Sequence, residues 1–210
     1  GYEQSDGRYV KFLDDDDVLV PGALAREVTA LEDASADLCI GNLLIEEKDG
    51  TRFTHEQQPD PDLVCGIMLG TAWTIPAGLT YRSAAIGSCR WDPDVEADQD
   101  AQFAGLCAAR NDRFVHLDEP VAAIRSHDGD RISDRKARAD ARDPVMRGLK
   151  LVNTVLGELR ERGALQSHHR RAAAKRLWRL AHLAAAFDLD LFRSLYRRAL
   201  RLDPGFHPSR

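Results

Sequence analysis

No stretch of the 210-residue chain approaches the ~20 consecutive apolar residues that a membrane-spanning helix requires. The opening residues Gly1 to Gly7 are polar and lack the charged-then-apolar pattern of a signal peptide. Cysteine is scarce: Cys39, Cys65, Cys89 and Cys107 are separated by 26, 24 and 18 positions, and none forms a Cys-x-x-Cys pair. That spacing suggests neither a zinc site nor a redox motif. Apolar neighbours such as Leu38, Ile40, Val64 and Leu106 favour reduced, buried thiols, so a cytoplasmic location is the default expectation. An excess of positive charge is also missing. A net charge of −5 argues against a dedicated nucleic-acid binder.

Hydrophobic residues make up 43% of the chain and charged residues 30%, ordinary values for a soluble globular protein. A chain of this length buries most of its apolar surface without covalent staples, which excludes a disulfide scaffold, a collagen-like fibre and a wholly disordered tail. The charge is unevenly spread. Residues 1–167 hold 19 Lys and Arg against 31 Asp and Glu, a balance of −12, whereas residues 168–210 hold 10 against 3, a balance of +7. An acidic body therefore precedes a basic end.

Arg8-Tyr-Val-Lys-Phe-Leu13 reads as a strand that ends abruptly in four aspartates, Asp14 to Asp17. A helix is expected over Ala23 to Leu31, with Pro21 just before it. Asp37 to Ile45 reads as a second strand, and Lys48-Asp-Gly-Thr51 as a turn leading back through Arg52-Phe-Thr. A short helix follows over Leu63 to Gly70, then extended chain over Trp73 to Pro76. Leu79 to Ile86 reads as strand running into helix, Asp92 to Asp98 as an acidic loop, and Ala101 to Arg110 as a helix. Phe114 to Leu117 and Val121 to Arg125 read as two strands. From Pro144 the pattern is helical: Val145 to Arg162, Ser167 to Phe187 and Asp190 to Leu202. The expected organisation is an α/β unit over residues 1–143 and a helical tail over 144–210.

A strand that ends in Asp-x-Asp sets two carboxylates side by side, hard oxygen ligands suited to Mg²⁺ or Mn²⁺ on a diphosphate. The alternative is a solvated acidic loop. Four carboxylates after an apolar strand repel one another, which favours a neutralising cation. The segment from Gly7 through Asp14-Asp-Asp-Asp17 to Pro21 resembles the region around the DxD motif of family-2 glycosyltransferases. In that family a Gly-x-Tyr/Phe-Ile/Val strand ends in Leu-Asp-x-Asp-Asp, then an apolar pair and a proline. The resemblance implies a GT-A-like mixed sheet and a divalent metal. It makes Asp16 the ligand to a metal on the sugar-nucleotide diphosphate, sets Asp14 against metal, ribose or donor sugar, and places Asp15 among the donor-binding residues. A rival exists: Phe12-Leu-Asp-Asp-Asp-Asp-Val18 also fits the start of haloacid-dehalogenase-type phosphatases, with Asp14 as nucleophile.

The stretch Trp91-Asp-Pro-Asp-Val-Glu-Ala-Asp-Gln-Asp100 separates the two. The glycosyltransferase family has a Phe/Trp-Asp-x-x-Leu/Val segment leading into a Glu-Asp pair at a helix start, and one carboxylate of the pair is the general base. Here Asp98-Gln-Asp100 stands at that place. Phe103, three residues on, favours Asp100 as base, with Asp98 as the second choice; both also read as helix-capping acids. The phosphatase reading needs an acidic motif closing an apolar strand, and Val95-Glu-Ala before Asp98 is no such strand. Trp73-Thr-Ile-Pro-Ala-Gly-Leu-Thr-Tyr-Arg82 resembles the family's acceptor-side segment, where Trp73 would stack on a sugar, unless it is simply core. Ile124-Arg-Ser-His-Asp-Gly-Asp-Arg-Ile-Ser133 resembles the segment that closes the catalytic domain. It would put His127 in the metal shell or on the diphosphate, with Arg125 or Arg131 against the leaving nucleoside diphosphate. His127 equally fits a solvated loop.

The family's early Pro-x-Tyr/Phe-Asn and Val-Asp-Asp-Gly-Ser segments are not found. The resemblance spans residues 7 to about 133, the second part of the family's catalytic domain, which implies an N-terminally incomplete chain, inactive or very weak alone. Sugar-nucleotide binding by calorimetry comparable to a complete relative would contradict that. The strand Tyr9 to Leu13 would then have one side exposed. In the tail, Leu177, Leu180, Leu183 and Ala184 form a helical stripe beside Trp178, and Tyr196-Arg-Arg-Ala-Leu-Arg-Leu-Asp-Pro204 resembles the end of a tetratricopeptide-type helix pair. The stripe favours a helical hairpin packed on the body. The alternatives are an interaction module, or contact with the inner face of an anionic membrane where lipid-linked acceptors reside. The expected reaction is inverting transfer of a sugar from a nucleotide-sugar donor to an acceptor hydroxyl, with no nucleic acid involved.

Overall fold

The computed structural model describes residues 2–93, 97–126 and 142–208. Strands β1 (Tyr9–Lys11) and β2 (Val18–Leu19) flank the aspartate run, and helix α1 (Ala23–Asp33) follows. Then come β3 (Leu38–Glu46), β4 (Arg52–His55), α2 (Leu63–Leu69), β5 (Leu79–Arg82), α3 (Ser83–Ile86), α4 (Gln99–Arg110) and β6 (Phe114–Arg125). Helices α5 (Arg142–Glu161), α6 (Ser167–Ala184) and α7 (Leu189–Leu202) complete the described chain.

The strands form one mixed sheet in the order β1-β5-β3-β6-β2, with β4 also on β3. Among the described residues only β3 and β6 run parallel; the other pairs are antiparallel. β3 lies in the middle, and Leu38 to Leu43 are all buried, which is why its sequence is a continuous apolar run rather than an alternation. Strand β1 lies at an edge and pairs with β5 alone among the described residues.

Two of the expected strands are one. β6 runs unbroken through Asp118-Glu-Pro120, because the β3–β6 register shifts at Gly41 and Asn42. Gly41 permits the approach: a Cβ there would lie 2.3 Å from Val121 Cγ1. The buried Asn42 amide then satisfies the irregular backbone, donating to Asp118 O at 2.6 Å while its Oδ1 accepts from Gln57 N at 2.8 Å.

Beneath the aspartate run, Lys11 and Glu27 make a buried ion pair of 2.6 Å that joins β1 to α1. Thr80 on β5 completes it, donating to Glu27 Oε1 at 2.9 Å and accepting from Lys11 Nζ at 3.2 Å. Burial pushes the Lys11 ammonium below its usual pKa, and Glu27 opposes that shift.

Helices α5 and α6 pack on α4 and α2, and α7 packs on α6. Gly105 and Gly148 allow the close contacts: a Cβ at Gly105 would meet Leu151 at 3.0 Å, and one at Gly148 would meet Leu180 at 2.6 Å. Leu177, Leu180 and Ala184 are buried, but Leu183 is 53% exposed. Six residues after Leu177, it stands about 120° around the helix from it, outside the stripe. None of the described helices is long and apolar enough to cross a membrane. All four cysteines are buried and unpaired.

Asp62 ties the tail to the body. Its Oδ1 accepts the Cys65 N–H at 2.7 Å and caps α2, while Oδ2 meets His168 Nε2 at 2.8 Å and His169 Nε2 at 2.7 Å. Burial alone would raise the Asp62 pKa, but the hydrogen bonds from His169 and Cys65 outweigh it and hold the carboxyl well below its usual range.

Two outcomes follow from these contacts. Glu27→Ala leaves the Lys11 charge buried and should cost about 3–5 kcal/mol, whereas the paired replacement Lys11→Met with Glu27→Leu should cost clearly less; denaturant melts measure both. Asp62→Ala should cost about 2–4 kcal/mol at neutral pH, from the lost cap and the lost imidazole contacts. The folded pKa of Asp62 is depressed, so its contribution is complete above the unfolded carboxylate pKa of about 3.9 and disappears as pH falls through the lower folded value. Thermal melts across that acidic range should show the gap between wild type and variant closing.

Candidate active site

The four aspartates follow β1 directly, and Asp17 N donates to Asp14 O at 3.2 Å, folding the run into a turn. One oxygen each from Asp14, Asp16 and Asp17 lies within 4.8 Å of the others. Asp14 is exposed, Asp16 half-buried and Asp17 buried; Asp15 is exposed and outside this group. Burial, then the charges of Asp16 and Asp15, push the Asp14 carboxyl above its ordinary pKa. Three hard oxygens under mutual repulsion fit a divalent ion of the Mg²⁺ or Mn²⁺ kind. Asp17 was not singled out by the sequence reading, because the turn that gathers it is not visible in a run of identical residues.

The second acidic segment is carried to the same place by aromatic packing. Trp91 stacks on Phe103 at 3.6 Å between ring centroids, and Phe12, two residues before Asp14, meets both rings edge-on at 4.6 and 5.6 Å. Tyr81 closes the cluster against Phe12 and Phe103. Phe103 is on α4, whose first turn holds Asp100; Trp91 Nε1 donates to Asp100 Oδ1 at 3.4 Å. Asp98 is the N-cap residue, in the left-handed region at φ 60°, and its side chain does not cap the helix. It accepts instead from Arg147 Nε of α5 at 2.8 Å.

Asp14, Trp73, Asp98 and Asp100 all line one cavity of about 400 Å³. Trp73 is 40% exposed and stacks on the His55 ring at 3.6 Å. Its backbone is fixed by Gln57, whose Oε1 accepts Trp73 N at 2.7 Å, and Gln57 hangs in turn from Asn42 at the β3–β6 irregularity. Burial pushes the His55 imidazole below its usual pKa, which favours its neutral form against the indole. Three further residues of the cavity wall were missed by the sequence reading: Gln102 on α4, Arg147 on α5 and Arg176 on α6. Only tertiary packing brings the last two here.

Arg125 is not among the residues lining this cavity; its Nε donates to Glu46 Oε2 at 3.0 Å at the far end of the β3–β6 pair. His127 and Arg131 lie outside the described residues. A second group of metal-ligand types, Asp62, Cys65, His168 and His169, lies elsewhere. There Gln166 N donates to His169 Nδ1 at 3.1 Å, which leaves the proton on Nε2, aimed at Asp62. That arrangement is a clasp between α6 and α2.

Residues 1–90 match the family described as Glycosyl transferase family 2. That span includes the aspartate run and Trp73 and ends before Asp98 and Asp100. A comparison with curated proteins gives no match. Among solved structures, the chain resembles S. aureus TarS residues 1–349 in complex with UDP-GlcNAc, with a TM-score of 0.54 and 14% identity over 95% of this chain and 70% of that one. The same TarS segment in complex with UDP gives a TM-score of 0.49 and 13% identity, over 99% of this chain and 70% of that one. Identity this low shows the fold alone, a mixed α/β arrangement of the GT-A type. The match to glycosyl transferase family 2 covers residues 1–90 of the 210, so it is a likeness carried by the first part of the chain.

Proposed function

We propose that this chain transfers a sugar from a nucleotide-sugar donor to an acceptor hydroxyl by direct displacement, with inversion. One observation carries the reading: Asp14 of the aspartate run and Asp98 and Asp100 of α4 share a cavity of about 400 Å³. Glycosyl transfer needs both groups of acids at one place, one beside the departing diphosphate and one beside the attacking hydroxyl. The UDP-GlcNAc in the TarS complex supports a nucleotide-sugar as the donor class.

Asp14, Asp16 and Asp17 are the residues that would hold Mg²⁺ or Mn²⁺. When bound, such an ion supplies neutralisation of the charge on a diphosphate leaving group. Asp100 accepts the proton of the acceptor hydroxyl. It lies in the first turn of α4, where the helix dipole favours its charged form, and Trp91 fixes its direction. Asp98 is the weaker candidate, because a charge-assisted bond to Arg147 already occupies one of its oxygens. Trp73 offers a flat apolar face for a sugar ring, backed by His55.

Sugar transfer from nucleotide-sugar donors tests these roles. Asp100→Asn should lower kcat by about 10²–10⁴-fold with little change in donor KM. Asp98→Asn should cost less; a loss equal to that of Asp100→Asn or larger would move the base to Asp98. Asp16→Asn should weaken Mn²⁺ binding, followed by electron paramagnetic resonance, whereas Asp100→Asn should leave it unchanged.

A further inference from the structure

We infer that Arg176, together with Arg147 on the same cavity wall, forms a subsite for a phosphate-type anion, so that the C-terminal helices take part in substrate recognition. The cavity divides by charge. Its carboxylates, Asp14, Asp98 and Asp100, come from the α/β body, and its two guanidinium groups come from α5 and α6. Arg147 is engaged by Asp98 at 2.8 Å. Arg176 is not engaged: its side chain makes no hydrogen bond among the described residues, and its Nε is buried without a partner.

Other arginines of the chain show what satisfaction looks like. Arg26 also has a buried Nε without a partner, but its terminal nitrogens donate to Pro21 O and Pro120 O. Arg179, one turn along α6 from Arg176, donates to Leu69 O. Burial, then the charge of Arg179, push the Arg176 pKa down, and Asp98 opposes them. A guanidinium stays charged in a protein, and a charge withdrawn from water is normally paired. Its planar fork matches the oxygens of a phosphate or carboxylate. An unpaired, half-buried guanidinium facing a cavity therefore marks a place for an anion that arrives with the ligand.

Two sources would supply that chemistry: the donor's diphosphate, or a phosphate or carboxylate on the acceptor. The choice between them rests on the glycosyltransferase reading; anion binding itself does not. Inorganic phosphate without metal, and separately pyrophosphate with Mn²⁺, are titrated into the full chain, into Arg176→Gln, and into Arg170→Gln, an exposed arginine on the same helix. Binding is read by calorimetry, and the Arg176 guanidinium is followed by nitrogen-15 NMR in the wild-type chain. Phosphate should bind, should weaken at least tenfold in Arg176→Gln but not in Arg170→Gln, and should move the Arg176 signal. A loss seen with phosphate alone assigns an anionic acceptor; a loss seen also with Mn²⁺-pyrophosphate assigns the donor diphosphate. Absence of phosphate binding, equal binding by Arg176→Gln, or an unmoved Arg176 signal overturns the subsite. Should Arg176→Gln fail to fold, the wild-type signal decides. Phosphate binding in a chain that takes up neither Mn²⁺ nor a nucleotide-sugar would keep the subsite and remove the glycosyltransferase reading.

Discussion

The aromatic cluster of Phe12, Tyr81, Trp91 and Phe103 is the contact on which the site depends. Two acidic segments more than 80 residues apart repel each other and have no reason to meet unless something apolar holds them. Phe12 is anchored two residues before Asp14, and Phe103 three residues after Asp100. Packing one ring against the other fixes both acidic ends at one cavity mouth, with Trp91 stacked between the segments and bonded to Asp100. Each aromatic pair contributes about 0.5–1.5 kcal/mol beyond simple burial, enough to offset part of the repulsion it creates. The Lys11–Glu27 pair does related work beneath the strand, holding β1 to α1 and β5 where, among the described residues, β1 has a strand on one side only.

The C-terminal helices are more than a cover. They supply two of the cations of a cavity whose body is acidic, and they reach it because Gly148 lets α5 and α6 approach closely beside Arg147. The Asp62–His168–His169 clasp fixes the start of α6 on the cap of α2, so the angle at which Arg176 meets the cavity is set by contacts made elsewhere on the same helix. Stability of the tail and composition of the site are thereby linked.

Much of this was legible before any coordinates. A strand running into carboxylates is a local pattern, and so is an acid in the first turn of an amphipathic helix. Asp14, Asp98, Asp100 and Trp73 could be singled out for that reason, and the cavity brings them together. The helices of the tail followed from their periodicity, apart from Leu183. Non-local features were hidden. The polar Asp118-Glu-Pro120 reads as a break between two strands, because nothing nearby in sequence announces that Gly41 and Asn42 absorb the irregularity from the neighbouring strand. Arg147 and Arg176 look like ordinary members of charged helices; only packing decides which charge faces a cavity. Arg125 lies at the sheet's end, where its Nε donates to Glu46, a contact its sequence motif does not announce.

We propose that the aspartate run and the α4 carboxylates form a single site that takes up a divalent metal. Paramagnetic broadening by bound Mn²⁺ tests it most directly. With Mn²⁺ at Asp14, Asp16 and Asp17, the Trp91 and Trp73 indole signals and the Asp100 amide should broaden, while signals of α7 remain sharp. Broadening confined to the aspartate run, or centred on Asp62, His168 and His169, would contradict the account.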